Sequence, residues 1–142
     1  ILGSLPGKKS IELKEYYGHP RNRMWKILCA ITNCDLPTDY GSKKIFCQKN
    51  KIGLWDVAFS AERKGSLDSN IKKEIPNDLD SLLLDFPSIK VIGFNGKKSE
   101  SMYKKFFKLN KYIKYVSLPS SSPANMAISF EDICLRWVEL FK

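Results

Sequence analysis

Histidine is nearly absent from this sequence, because His19 is the only one in 142 residues. A Ser-His-Asp hydrolase needs a histidine beside its serine to act as general base. Apart from His19, no histidine is present that could pair with a serine in this way. Cysteine is scarce as well, and the four cysteines form no CxxC pair, which leaves an ordinary zinc or iron–sulfur site without its ligands. We therefore expect no metal, no other cofactor, and free thiols at Cys29, Cys34, Cys47 and Cys134.

Long apolar runs are also missing. The longest ones are too short to span a bilayer, and no charged-then-apolar leader opens the chain. A hydrophobic content of 43% and a charged content of 27% are typical of a globular chain. We therefore expect one domain over residues 1–142, no membrane association, and a cytoplasmic protein, bound to the nucleoid if the source is prokaryotic. The opening ILGSL resembles a strand already under way, so we expect natural N-terminal residues to be missing.

Acidic residues are the minority among the charges. There are 24 Lys and Arg against 15 Asp and Glu, which gives a net charge of +9 and a pI near 9.4. This balance favours a polyanionic partner, although a generally lysine-rich composition would give the same numbers. The distribution is more informative, because basic pairs stand at or just after candidate strands, at Lys8/Lys9, Arg21/Arg23, Arg63/Lys64 and Lys97/Lys98.

The apolar pattern predicts strands that alternate with helices. Strands are expected at residues 1–5, 54–59, 89–96 and 112–118. Helices are expected from Arg23 to Asn33, at 42–53, at 77–86, and along Met102, Phe106 and Leu109. A last helix is expected to begin at Ser122-Pro123 and to begin or be renewed at Ser129. PGKKS at 6–10 and SAERKGSLDSN at 60–70 are expected to be a turn and a loop. Nearly all-apolar strands separated by helices predict an α/β fold whose parallel sheet is covered on both faces.

Unusual polar segments follow the predicted strands. They are GSLPG, YYGHPRN, the loop after LWDV, FNG and LPSSSPAN. Ligands of open parallel sheets bind outside the carboxyl ends of the strands, so we expect these segments to meet around one cleft. GSLPGKKS lacks the spacing of a P-loop. LPSSSPAN fits either a plain loop with a helix cap or a phosphate grip, FNG fits an ordinary turn, and either tyrosine of YYGHPRN fits the core or the cleft.

These segments together resemble the DNA-deoxyinosine (hypoxanthine-DNA) glycosylases, a branch of the uracil-DNA glycosylase superfamily. The resemblance runs in order through GSLPG, YYGHPRNRMW, GLWDV with ERKGSLDSNI, FNG and LPSSSPANM. It implies a three-layer α/β/α sandwich around a short, mainly parallel four-stranded sheet. It also implies a monomer that acts on double-stranded DNA, flips out a deaminated base and removes it by hydrolysis. Hypoxanthine is the expected base, with uracil and xanthine as further possibilities.

The resemblance implies roles for particular residues. The wider superfamily commonly has a polar residue where this chain has Leu5, so positioning of the attacking water is expected to fall to Asn22, with His19 as the fallback catalytic residue. The base site is expected to comprise Gly3, Ser4, Leu5, Tyr17 (or its neighbour Tyr16, as the stacking platform), Asp56 and Asn95. Phosphates are expected to be held by Ser120, Ser121, Ser122, Lys97 and Lys98, with the helix predicted near Pro123.

Other interpretations stay open at this point. The chain could be a catalytically silent nucleic-acid-binding domain, or a nucleotide-binding α/β domain that acts on free nucleosides. Asn22 could merely cap the helix that follows it, and Asp56 could merely bond loop amides. No lysine stands in a clearly apolar segment that would suit Schiff-base chemistry, so we expect a glycosylase without lyase activity.

Overall fold

The structure is a computed structural model that describes residues 1–142. Its strands are β1 (Leu2–Gly3), β2 (Trp55–Asp56), β3 (Ala58–Arg63), β4 (Ile71–Pro76), β5 (Val91–Asn95) and β6 (Lys114–Leu118). Its α-helices are α1 (Lys8–Leu13), α2 (Met24–Ile31), α3 (Tyr40–Lys49), α4 (Leu79–Asp85), α5 (Lys97–Phe106) and α6 (Phe130–Trp137). Single 3-10 turns lie at Asp68–Asn70 and Val138–Phe141.

The central sheet has four strands in the order β2-β1-β5-β6, and every neighbouring pair is parallel. Leu2 of β1 is in register with Trp55 on one side and Phe94 on the other. All four strands therefore end at the same edge of the sheet. The predicted four-stranded parallel sheet is confirmed, and its carboxyl edge collects the segments that the sequence singles out.

Helices cover both faces of this sheet. Along β5, Ile92 and Phe94 point into a core formed with α4, α5 and the β3–β4 pair, whereas Val91 packs against the opposite core. That second core contains residues of α2, α3 and α6, together with Val116 and Leu118 of β6. The alternation follows from the period of two along a strand. The three-layer α/β/α sandwich is therefore confirmed.

Local signals account for several helix boundaries. Ser129 caps α6, since its Oγ accepts a hydrogen bond from the backbone N–H of Asp132 at 3.1 Å, as the Ser-x-x-Asp spacing predicts. Asp78 caps α4 in the same way through Ser81. After α2 the chain turns away at Asn33, which has a left-handed φ of 54°.

The helix predicted at Ser122-Pro123 is absent. Ser122 instead accepts a hydrogen bond from the N–H of Ala124 within a tight turn. The guanidinium of Arg23 donates to the carbonyl oxygens of Asn125 and Ile128, at 2.6 and 2.8 Å. These bonds hold the segment in an irregular path, so the amides of a helix N-terminus are not available there for a phosphate.

Two further segments differ from their predictions. Residues 6–10, predicted as a turn, include the first three residues of α1. The predicted loop at 60–70 contains most of β3, which pairs antiparallel with β4 as a separate two-stranded sheet. The strands of this hairpin carry many charged residues and one cross-strand ion pair, between Lys73 and Glu62. Their apolar content is therefore too low for the pattern to reveal them.

Some whole-chain features bear on function. All four cysteines are free thiols. The structure has no cluster of three or more His, Cys, Asp or Glu side chains that would hold a metal ion. None of the helices has both the length and the apolar character that crossing a membrane requires.

Candidate active site

A wide cleft lies along the carboxyl edge of the central sheet. Its volume is about 1620 Å³, and residues from the ends of β1, β2, β5 and β6 line it. Nearly every residue predicted for the site borders this cleft: Gly3, Ser4, Leu5, Tyr17, His19, Asn22, Asp56, Asn95, Lys97, Ser120, Ser121 and Ser122. Lys98 is the exception. The structure thus brings together residues that are up to 119 positions apart in the chain.

Asn22 stands between the YYGHPRN loop and α2. Its Oδ1 accepts two hydrogen bonds, from the backbone N–H of Met24 at 3.0 Å and from Oγ of Ser121 at 2.9 Å. A backbone N–H can only donate, so the atom facing Met24 must be the carbonyl oxygen. Nδ2 has no partner in the protein and is not among the fully buried unpartnered atoms, so it is open to a ligand. The free end of this amide is therefore its nitrogen, and a water positioned by Asn22 would accept a hydrogen bond from it.

Asn95 and Ser121 complete a neutral network with Asn22. Oδ1 of Asn95 accepts from the backbone N–H of Ser121, and its Nδ2 donates to Oγ of Ser121, both at 2.9 Å. Ser121 is 0% exposed, and both of its donors have partners inside the protein. It therefore has no free donor for a phosphate, which corrects the role predicted for it.

The two neighbouring serines remain available. Oγ of Ser120 accepts from the N–H of Ser122, and Oγ of Ser122 accepts from the N–H of Ala124, each at 3.2 Å. These bonds use the oxygens as acceptors and leave both hydroxyl hydrogens free to donate. Both side chains are half-buried at the cleft, which is compatible with their predicted contact to phosphates.

The basic residues divide into two groups. Lys97 is exposed at the cleft, as are Lys8, Lys9 and Lys14 around α1. Lys98 instead forms an ion pair with Glu74 of β4, at 2.8 Å, and lies outside the cleft. Its ammonium already has a carboxylate partner, so the structure gives no support to its predicted phosphate contact. Arg23 and Arg63 are likewise occupied by backbone carbonyls.

A second wall of the cleft is formed by Gly3, Asp56 and Tyr17. A Cβ atom at Gly3 would lie 2.6 Å from Oδ1 of Asp56 and 3.1 Å from the hydroxyl oxygen of Tyr17, so only glycine allows this approach. Tyr17 has a left-handed φ of 53°, and its hydroxyl is buried without a hydrogen-bond partner. A buried hydroxyl without a partner is unusual, and together with the left-handed backbone it makes Tyr17 a candidate functional residue.

Asp56 is 6% exposed, and its carboxylate accepts no hydrogen bond from the protein, so loop amides do not account for it. Only its backbone carbonyl is held, by Nδ2 of Asn77 at 2.8 Å. Burial, followed by the nearby charge of Asp68, raises the pKa of Asp56 to about 7, and Arg63 opposes this rise. Burial, followed by the charge of Asp56, also holds the pKa of Tyr17 well above its usual value.

Ser4 and Leu5 complete this wall. Oγ of Ser4 donates to Oδ1 of Asp68 at 2.6 Å, which ties β1 to the 3-10 turn of the hairpin. Leu5 borders the cleft without offering a polar side chain, and its carbonyl accepts from Arg63. The sequence reasoning missed Asp68 and Arg63 as parts of the site. The charged ERKGSLDSN segment is the one feature of the sequence that points to them. The resemblance includes this segment but gives no role to its individual residues.

His19 has a defined hydrogen-bonding state. Its Nδ1 accepts from the backbone N–H of Arg21 at 3.1 Å, and that group can only donate. In the neutral imidazole the hydrogen is therefore on Nε2. His19 borders the cleft, so Nε2 can act there as a donor.

Fold and cleft together define an α/β protein with a polar cleft at the carboxyl ends of its parallel strands, where open sheets of this kind bind ligands. A family model described as the uracil DNA glycosylase superfamily matches residues 1–139. A protein of Methanosarcina barkeri (strain Fusaro) named hypoxanthine DNA glycosylase is 42% identical, covering 100% of this chain and 89% of the relative. One of the same name from Methanosarcina acetivorans is 40% identical over 91% of this chain and 81% of the relative.

Solved structures agree with the family match. The solution NMR structure of a protein from Methanosarcina acetivorans, provisionally described as a uracil DNA glycosylase, superposes with a TM-score of 0.78. It is 32% identical and covers 99% of this chain and 89% of its own. The chain belongs to the uracil DNA glycosylase superfamily. It is a DNA N-glycosylase, a hydrolase of base excision repair, and a catalytically silent binding domain is not favoured.

Proposed function

We propose that this glycosylase removes hypoxanthine from deoxyinosine in double-stranded DNA, with uracil and xanthine as secondary bases. Two relatives named hypoxanthine DNA glycosylase support this choice of base. The observation that carries the proposal is the set of polar groups left without protein partners at one cleft. Nδ2 of Asn22 and the carboxyl of Asp56 are both open there, at the place where a flipped nucleotide would enter.

Base recognition is assigned to Asn95 and Asp56. One Nδ2 hydrogen of Asn95 is used by Ser121, and the other is left to donate to a base. Ionised Asp56 can only accept. Deaminated bases present a carbonyl acceptor beside an N–H donor, which matches this pair. Adenine presents an amino donor beside a ring nitrogen acceptor, and would leave both protein groups unpaired.

Bond breaking is assigned to the wall that contains Asn22. Departure of the base leaves positive charge on the deoxyribose and negative charge on the base. Nδ2 of Asn22 donates to the oxygen of a water and holds that water near C1′, so the role of Asn22 is to position it. The water forms the C1′–O bond as the glycosidic C–N bond breaks, and the proton that the water loses passes through solvent to the departing base anion. Nε2 of His19 is the candidate hydrogen-bond donor to the departing base, and the ring of Tyr17 is the candidate stacking surface. Fixed donors that face the departing base, rather than a strong base, would lower the barrier.

Phosphates are assigned to Ser120, Ser122 and Lys97, with the lysines of α1 along the rim. All lysines that border the cleft are exposed, so none has the apolar surroundings that a Schiff-base amine needs. The product would then be an intact abasic strand. We further propose that the protein acts as a monomer, and its four free thiols suit a reducing compartment such as the cytoplasm.

The test uses matched duplexes that carry one deoxyinosine, deoxyuridine, deoxyxanthosine or deoxyadenosine, followed by hot alkali and strand sizing. The proposal expects fastest cleavage at deoxyinosine, none at deoxyadenosine, and breakage only after alkali. Faster release of uracil than of hypoxanthine would contradict the assigned base. Borohydride trapping of a protein–DNA adduct would contradict the monofunctional mechanism, and cleavage of free inosine at a comparable rate would indicate a nucleoside hydrolase instead.

A further inference from the structure

Ser121 differs from its two serine neighbours. Ser120 and Ser122 keep a free hydroxyl hydrogen at the cleft, whereas Ser121 is 0% exposed and lies between two asparagine side chains. Its backbone carbonyl also accepts from the N–H of Arg23 at 3.0 Å, which joins the β6 loop to the start of α2. The middle serine of the run therefore faces the protein.

The direction of every hydrogen bond around Ser121 follows from groups that can only donate. The N–H of Ser121 must meet Oδ1 of Asn95, which places Nδ2 of Asn95 against Oγ of Ser121. Oγ must accept that bond, so its own hydrogen is left for Oδ1 of Asn22. The N–H of Met24 independently identifies that atom of Asn22 as the oxygen. Neither an amide flip nor a hydroxyl rotation can change this arrangement without leaving a buried group unpaired.

We propose that Ser121 is a positioning residue for base removal, because its hydroxyl hydrogen holds the Asn22 amide with oxygen inward and nitrogen toward the flipped nucleotide. This inference rests on the role proposed above for Asn22. The terminal torsion of asparagine is soft, so the bond from Met24 alone lets the amide swing. The second bond, from Ser121, fixes the plane of the amide and hence the direction in which Nδ2 points.

A double-mutant cycle tests this inference. Ser121→Ala, Asn22→Ala and the double variant are compared by single-turnover cleavage of deoxyinosine DNA, with binding to an abasic duplex and the unfolding midpoint measured in parallel. Misplacement of a reacting group by about 1 Å slows reactions by about 100-fold, so Ser121→Ala should fall by one to two orders of magnitude. Because Ser121 acts through Asn22, the loss caused by Ser121→Ala should be much smaller in the Asn22→Ala background than in the native chain. Any remaining loss reports the second contact of Ser121, with Nδ2 of Asn95. Abasic binding should be retained, since Ser120 and Ser122 are unchanged.

Ser99 supplies a matched control. It is another serine at 0% exposure, and its Oγ donates to the carbonyl of Gly96 at 2.8 Å, outside the network. Ser99→Ala should lose similar stability and retain cleavage. Ser121→Cys keeps a weak donor of similar size, so its rate should lie between those of Ser121→Ala and the native chain. It replaces Ser121→Ala in the cycle if the alanine variant does not fold.

The outcomes separate the two proposals. If Asn22→Ala is slow while Ser121→Ala and Ser121→Cys cleave at the native rate, Ser121 does not position Asn22 and only this inference fails. Equal losses from Ser121→Ala in the native and Asn22→Ala backgrounds would overturn it as well, because the two residues would then act independently. If Asn22→Ala itself cleaves at the native rate, the role proposed for Asn22 fails, and positioning by Ser121 fails with it.

Discussion

The two walls of the cleft differ in how their polar side chains are paired. The amide wall, made of Asn22, Asn95 and Ser121, is uncharged, and its side chains hold one another in a fixed arrangement. The acid wall, made of Asp56, Tyr17, Ser4 and Asp68, contains a nearly buried carboxylate and a buried hydroxyl that have no hydrogen-bond partner in the protein. In the amide wall each side chain is held by at least one bond to another and only amide N–H groups are left free, whereas the carboxylate and the tyrosine hydroxyl of the acid wall have no hydrogen bond from the protein.

This difference matches the proposed roles of Asn22, which positions a water, and Asp56, which recognises the base together with Asn95 of the amide wall. A network whose hydrogen bonds form on folding needs no rearrangement when charge develops, which suits the wall assigned to bond breaking. Unpaired buried polar groups lower stability by about 1 to 3 kcal/mol each. A base that supplies the missing partners recovers that free energy, whereas a base with the opposite pattern does not. The unpaired groups of the acid wall thus lower the stability of the fold and at the same time let the site discriminate between bases.

The largest expected effect is on the amide wall. Asn22→Ala should slow single-turnover cleavage of deoxyinosine DNA by about two to three orders of magnitude, as the loss of one fixed polar group does elsewhere. The same change removes the acceptor for the N–H of Met24, which costs about 1 kcal/mol of stability. Cleavage is measured well below the unfolding midpoint, and binding to an abasic duplex checks the fold.

His19→Ala serves as the comparison for this prediction. It should reduce cleavage less than Asn22→Ala does, because His19 is assigned only to the departing base. A large loss at His19 with near-native cleavage by Asn22→Ala would move the reaction from the asparagine to the histidine.

On the acid wall, Asp56→Asn should change the pH dependence of cleavage. With a pKa of about 7, Asp56 gains its accepting charge between pH 6 and 8, so native cleavage should rise over that interval. The asparagine variant keeps an acceptor oxygen but does not titrate, so its profile should be flat there and its rate at pH 8 lower by about tenfold. Single-turnover rates across this range measure both features. An unchanged rise in the variant would assign the titration to another group.

The same substitution should raise stability at alkaline pH. Folding raises the pKa of the Asp56 carboxyl from 3.8 to about 7. The contribution of its bound proton to the free energy of unfolding is therefore fully present below about pH 4, and it is lost as the pH rises through 7. Asp56→Asn should therefore increase the unfolding midpoint most clearly at pH 8 and least at pH 4. A midpoint that falls at pH 8 would mean that the carboxylate has a stabilising partner.

Tyr17→Phe should change stability in the same direction as Asp56→Asn, by a smaller amount. Because the Tyr17 hydroxyl is buried without a partner, its removal should leave stability unchanged or raise it by about 1 kcal/mol. The phenyl ring still stacks, so cleavage should fall by less than tenfold. Tyr103→Phe is the matched control, since that hydroxyl is paired with the hydroxyl of Tyr115 at 3.3 Å and its loss should destabilise. Equal destabilisation by both changes would show that Tyr17 has a partner in solution.

The sequence predicts members of both walls, but it does not predict which of several neighbouring residues faces the cleft. The parallel sheet was predictable because its strands are apolar and separated by periodic helices, and Asn22 and Asn95 stand at strand or helix ends where ligands bind. Neither the inward turn of Ser121 nor the ion pair of Lys98 could be predicted, since identical neighbours in a sequence carry no information about which one faces the core. Asp68 was missed because charged strands hide the hairpin that presents it.

The smallest expected effect lies on the rim of the cleft. The two adjacent lysines of α5 differ there as the two walls do, because one has a partner in the protein and the other does not. Lys97 is exposed beside the amide wall, whereas Lys98 is paired with Glu74 on the far side. Each phosphate contact releases condensed counterions, so Lys97→Ala should reduce the slope of log K against log salt by about one, with little change in cleavage at saturation. Lys98→Ala should leave the slope unchanged, because an ammonium already neutralised by a carboxylate adds little to DNA binding. Titrations of an abasic duplex at several salt concentrations measure both slopes. If the slope falls for Lys98→Ala and not for Lys97→Ala, the DNA does not follow this rim.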